Sequence, residues 1–172
     1  MALRYGSKNG SALRYDPYSA VALRYGSKNA WTSGNGEYDE GATPAEYFIF
    51  RAINSEWTIS AASKNDMPSE VIIPRVYQGL PVTTICGWAF DCCKSIVRVI
   101  IPDSVTTIGD AAFQDCSSLI DIVIPASVTT IGMNSFYGCS NLTIFCEAES
   151  KPDGWDNAWA SGVGTVNWGY TG

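Results

Sequence analysis

Six cysteines, Cys86, Cys92, Cys93, Cys116, Cys139 and Cys146, are the most reactive side chains in this chain of 172 residues. A cysteine or serine nucleophile needs a nearby base, most often histidine, and the chain contains no histidine. That removes Cys-His and Ser-His pairs, a histidine proton shuttle and every His-bearing zinc site. A zinc site would need four thiolates, and no two cysteines have the Cys-x-x-Cys spacing that marks one. Asp91, Asp103, Asp110, Asp115 and Asp121 are scattered, and no pair is fixed for general acid–base work. The dispersed glycines form no phosphate-binding loop ahead of a helix. The residues therefore point to a non-enzymatic protein with no cofactor and no metal. What remains notable about the cysteines is their spacing, since Cys93, Cys116 and Cys139 stand 23 residues apart.

That spacing belongs to a larger repeat. Val82-Thr83-Thr84-Ile85 recurs at 105–108 and 128–131. Phe90, Phe113 and Phe136 keep the same period, as do Ile96, Leu119 and Leu142, then Val99, Ile122 and Phe145. Pro102 and Pro125 close the first two units. A unit this short cannot bury an apolar face alone, so stacked copies must supply one another's contacts. The spacing predicts a solenoid of about four coils, with one short strand per unit near 71–73, 97–101, 120–124 and 142–146. Each strand leads to a turn at the proline, and an irregular arc follows the Ile-Gly pair. Equivalent residues should lie about 4.8 Å apart in parallel ladders.

The run Ser117-Ser118-Leu119-Ile120-Asp121-Ile122-Val123-Ile124-Pro125-Ala126-Ser127-Val128-Thr129-Thr130-Ile131-Gly132, with Phe136-Tyr137-Gly138-Cys139-Ser140-Asn141-Leu142 after it, resembles the BspA-type leucine-rich repeat family. Val71 to Val82 looks like that family's opening coil, and Cys146 to Trp155 with Val166 to Tyr170 looks like its ending. The resemblance covers about residues 46–170 and stops short of 1–41. It implies a leucine-rich repeat solenoid: an opening coil at 46–81, repeats at 82–104, 105–127 and 128–150, and a C-terminal cap at 151–172. It also implies a non-enzymatic surface or extracellular binding protein. In such repeats the Cys93/Cys116/Cys139 position faces inward, which implies a ladder of reduced thiols. Any disulfide should then come from Cys86, Cys92 and Cys146. Trp155, Trp159 and Trp168 should cover the apolar cross-section at the solenoid's end.

The N-terminal residues follow a different rule. Ala2-Leu3-Arg4-Tyr5, Ala12-Leu13-Arg14-Tyr15 and Ala22-Leu23-Arg24-Tyr25 repeat every ten residues, each followed by turn-forming residues. Residues 1–30 hold five bases and one acid, a net +4; the rest holds six bases and sixteen acids, a net −10. Five positive charges are few for a nucleic-acid arm. The expectation is an anchor segment (1–30), joined by a Gly-rich linker (31–45), that meets a partner through Leu3, Arg4, Tyr5, Leu13, Arg14, Tyr15, Leu23, Arg24 and Tyr25.

On the solenoid, strand alternation turns Leu119, Ile122 and Ile124 inward. It leaves Ile120, Asp121 and Val123 on the outer sheet, beside Val97, Arg98 and Ile100 of one neighbour and Thr143, Ile144 and Cys146 of the other. Trp88 is matched by Ala111 and Asn134, so it sits at no core position and joins the candidate contacts. A mostly aliphatic sheet suits a partner protein, or a second copy of the chain, better than a polysaccharide. No apolar run reaches the about 18 residues of a membrane helix, and the first ten residues hold no apolar signal core. The expected role is thus a surface-displayed binding or decoration module in a capsid, a tail or a cell-surface assembly. A phage virion is one candidate, a bacterial adhesin-like protein another, and an intracellular interaction scaffold the third.

Overall fold

A computed structural model describes residues 38–39 and 41–172. Its strands are β1 (Phe48–Ile53), β2 (Glu56–Ala61), β3 (Glu70–Ile72), β4 (Val76–Tyr77), β5 (Leu80–Ile85), β6 (Arg98–Ile100), β7 (Thr107–Ile108), β8 (Asp121–Ile124), β9 (Thr130–Ile131), β10 (Thr143–Cys146) and β11 (Thr165–Asn167). They build two sheets. One runs β3-β6-β8-β10-β11, all parallel. The other runs β1-β2-β5-β7-β9, with β4 paired to β5. The predicted strand positions hold, but the solenoid has five turns rather than about four. Each Thr-Thr-Ile also forms a second strand, where one strand per unit was expected. The reason is that Thr and Ile are β-branched and suit a ladder, and the period aligns Thr84, Thr107 and Thr130 with one another.

The turns repeat as closely as the strands. Val105 N–H donates to the Pro102 carbonyl and Val128 N–H to Pro125, each at 3.1 Å. The arcs also form ladders: Phe90 N–H donates to Ala112 at 2.7 Å, and Phe113 N–H to Ser135 at 2.8 Å. Two positions in each arc take left-handed backbone. Trp88, Ala111 and Asn134 share one, and Cys92, Asp115 and Gly138 the other.

The core is a set of columns. The Phe90 and Phe113 rings stack at 5.2 Å and 6°, and Phe113 and Phe136 at 5.4 Å and 3°. Phe48 closes this column edge-on at one end and Trp159 at the other. A second column runs Val71, Val99, Ile122 and Ile144, all in the core cluster. Here the structure corrects the sequence register. Ile144, and not Phe145, pairs with Ile122, because the third unit is one residue shorter between Leu142 and the strand. Cys146 consequently pairs with Ile124 and is fully buried.

The opening coil is also more elaborate than a single turn. β1 and β2 form an antiparallel hairpin around Asn54 and Ser55, both left-handed, as a two-residue loop requires. At the far end Trp155 and Trp159 are buried and Trp168 is partly exposed. Trp155 Nε1 donates to the Val128 carbonyl at 3.1 Å, and the ring lies 4.7 Å from Trp159. Trp155 and Trp159 cover the end of the phenylalanine column.

Candidate binding surfaces

All six cysteines are free, and Cys93, Cys116, Cys139 and Cys146 are buried. Cys116 Sγ donates to the Phe90 carbonyl of the preceding turn at 3.0 Å, and Cys139 Sγ to Phe113 at 3.1 Å. Cys116 and Cys139 thus add a second donor to carbonyls that already accept the Cys93 and Cys116 N–H groups. Burial pushes Cys93 and Cys139 up from 9.0 to about 11 and Cys146 to about 12; it raises Cys116 as well. Neutral buried thiols are poor nucleophiles. Cys92 is exposed, but a hydrogen bond to Asp91 raises its pKa too, while Asp91 also pairs with Lys64 at 2.7 Å.

Two outcomes follow. Thiol reagents should modify Cys93, Cys116, Cys139 and Cys146 in the native protein far more slowly than in denaturant, as mass spectrometry after a timed quench would read. The pH dependence has a definite sign. The folded state binds these protons more tightly than the unfolded state, whose thiols titrate near 9. The thiols' contribution to stability should be level from neutral pH up to about 9 and fall from there toward pH 12, as denaturation midpoints across that range would show.

The outer face of the five-stranded sheet differs from expectation. Ile120 is 46% exposed, and Val97 and Arg98 are partly exposed. Ile100, Asp121 and Val123 are buried instead, as are Ile144 and Cys146. Asp121 is held by Arg98, whose Nε lies 3.2 Å from its Oδ1 while Nη1 reaches Glu70 at 3.7 Å. The acid and base expected to mark a contact surface thus engage one another across the ladder. Ile72, Ile100 and Val123 stack as a row outside the main core cluster. Ile144 and Cys146 are buried because the shortened third unit turns them inward.

Trp88 is where the sequence placed it, at the surface and 56% exposed. Its φ is +59°. A non-glycine residue pays roughly 1–2 kcal/mol for left-handed backbone, and an exposed indole recovers little of this from internal packing. Met133 and Tyr137, two turns further along, are also about half exposed. Neither was singled out in the sequence, where nothing but their lack of apolar counterparts at Asp110 and Gln114 marks them. Leu3, Arg4, Tyr5, Leu13, Arg14, Tyr15, Leu23, Arg24 and Tyr25 lie outside the described residues.

These features agree with what the chain is similar to. A family model described as BspA type leucine rich repeat region matches residues 70–150 with six copies. Among solved structures, a leucine rich cell surface protein from Faecalibacterium prausnitzii is 28% identical, with a TM-score of 0.51 over 79% of this chain and 42% of that one. A leucine-rich repeat protein from Bacteroides ovatus is 26% identical, with a TM-score of 0.54 over 70% of this chain and 39% of that one. The chain therefore spans about two fifths of each of these two proteins. A search of curated proteins gives no match. With its parallel ladders, its phenylalanine column and its buried thiols all recurring on the matched period, the chain matches the BspA type leucine rich repeat region over residues 70–150.

Proposed function

We propose that this protein is a non-enzymatic, surface-displayed binding module. In this reading residues 1–30 fasten it to a larger assembly and the repeat domain meets a protein partner. The observation that carries the anchor is the division of the chain into two parts with unrelated periods and opposite charge, +4 over 1–30 and −10 beyond. The Leu-Tyr pairs recur every ten residues, at regular intervals that an inert linker does not require. Three weak contacts on one chain gain strength through effective concentration. Binding by the repeat domain is supported by the family and by Trp88, whose large apolar side chain is exposed. Display at a cell surface is supported by the solved Faecalibacterium prausnitzii cell surface protein.

The test is a pair of variants. Tyr5, Tyr15 and Tyr25 changed together to alanine should free the folded protein from its assembly. Ile120→Ser, which removes the most exposed aliphatic of the outer sheet, should leave attachment intact. Gel filtration and co-sedimentation with the native assembly read both. Loss of attachment with Ile120→Ser but not with the tyrosine variant would reverse the assignment.

A further inference from the structure

The solenoid's ends are not closed alike. At the β3 edge, Thr43 N–H donates to the Ile72 carbonyl at 3.0 Å and Thr43 Oγ1 accepts from Ile72 N–H at 2.8 Å. At the other end, Trp155 bridges to Ile131 beside β9. The β1 edge lacks such a cover among the described residues. The Ile53–Glu56 and Tyr47–Ala62 pairings fix which backbone groups face β2: those of the odd-numbered residues. The N–H and C=O groups of Phe50 and Ala52 therefore point away from β2, toward the open edge.

The side chains beside this edge are suggestive. Ile49 is 42% and Ile53 57% exposed, with exposed Arg51 between them on the same face. Arg51 has no ion pair among the described residues. We propose that β1 takes an extended segment of a partner protein as an added strand, with an acidic residue opposite Arg51 and aliphatics opposite Ile49 and Ile53. A second copy fits less well. A two-fold antiparallel pairing centred on the strand sets Arg51 against Arg51, and like charges placed directly opposite are destabilising. Moving that centre by one residue to avoid the clash sets Arg51 against Ile49.

The probe is the peptide acetyl-Thr-Val-Thr-Glu-Thr-Val-Thr-amide, which reads alike in either strand direction, added to the isotopically labelled full chain. Amide exchange at Phe50 and Ala52 should slow by about tenfold or more when the peptide saturates. Lysine in place of its glutamate should weaken binding by about tenfold. Ala52→Pro should abolish binding without changing the unfolding midpoint, because that N–H takes no part in the β1–β2 pairing. No binding, equal binding of the lysine peptide, or full binding by Ala52→Pro would overturn the proposal. So would peptide-independent protection that grows with protein concentration alongside a dimer in sedimentation, which would assign the edge to a second copy.

Discussion

Phe113→Ala should destabilise the protein by about 3–5 kcal/mol in chemical denaturation. Phe113 is the middle ring of the column, fully buried, and stacked on Phe90 at 5.2 Å and Phe136 at 5.4 Å. Its removal takes contacts from two turns at once and leaves a cavity bounded by rings on both sides. Those rings are tied down. The Phe90 and Phe136 N–H groups bond to the Ala112 and Trp159 carbonyls of the next turns, and Cys116 donates to the Phe90 carbonyl. The site therefore collapses poorly, and the loss belongs at the upper part of the large-to-small range. Because stability in a solenoid depends on contacts between neighbouring units, a break at the centre also weakens the coupling of the two halves. A loss below about 1 kcal/mol would mean that the column does not support the fold.

Gly109→Ala should have the second-largest effect, about 2 kcal/mol or more. A Cβ on Gly109 would stand 2.4 Å from Gly87 N and 2.8 Å from the Cys86 carbonyl carbon and Gly87 Cα. All three are backbone atoms, so no side chain can swing aside. The turns would have to separate, stretching the bonds from Gly109 N–H to Ile85 and from Trp88 N–H to Asp110, both 2.9 Å. Cys86 holds the equivalent place one turn earlier. There the preceding element is the β2 strand of the opening hairpin, which offers no matching arc, and a side chain is accommodated. Gly87→Ala is the internal control. Its Cβ would meet the Asp110 carbonyl at 3.2 Å, a much milder contact. Equal losses for the two variants would remove the explanation from close approach of the arcs.

Much of this architecture was legible because the solenoid sets equivalent residues above one another. The phenylalanine positions could be read as a column from spacing, whereas the inward cysteines were what the family resemblance implied. What escaped the sequence has local causes. Ile144 and Phe145 are both apolar, so either fits the column, and one missing residue is invisible until pairing fixes the register. The β1–β2 hairpin lies inside the opening coil, where no second copy exists to reveal it. Its signal was Asn54-Ser55 between two runs rich in aromatic and β-branched residues. The outer sheet was misjudged in part because alternation gives direction but not cover. It marked Asp121 as a surface charge, whereas Arg98 on the neighbouring strand engages it.

The central claim is that residues 1–30 attach a self-sufficient repeat domain to something larger. The described residues through 171 belong to one compact unit, so a chain beginning at residue 31 should fold by itself. The most direct measurement follows tagged full-length protein and tagged 31–172 through fractionation of the source cells and particles, with denaturation midpoints measured on both purified chains. The account predicts equal midpoints, the full chain recovered with the cell-surface or particle fraction, and the truncated chain recovered as soluble monomer. Truncated protein that folds equally well and still travels with that fraction would contradict it.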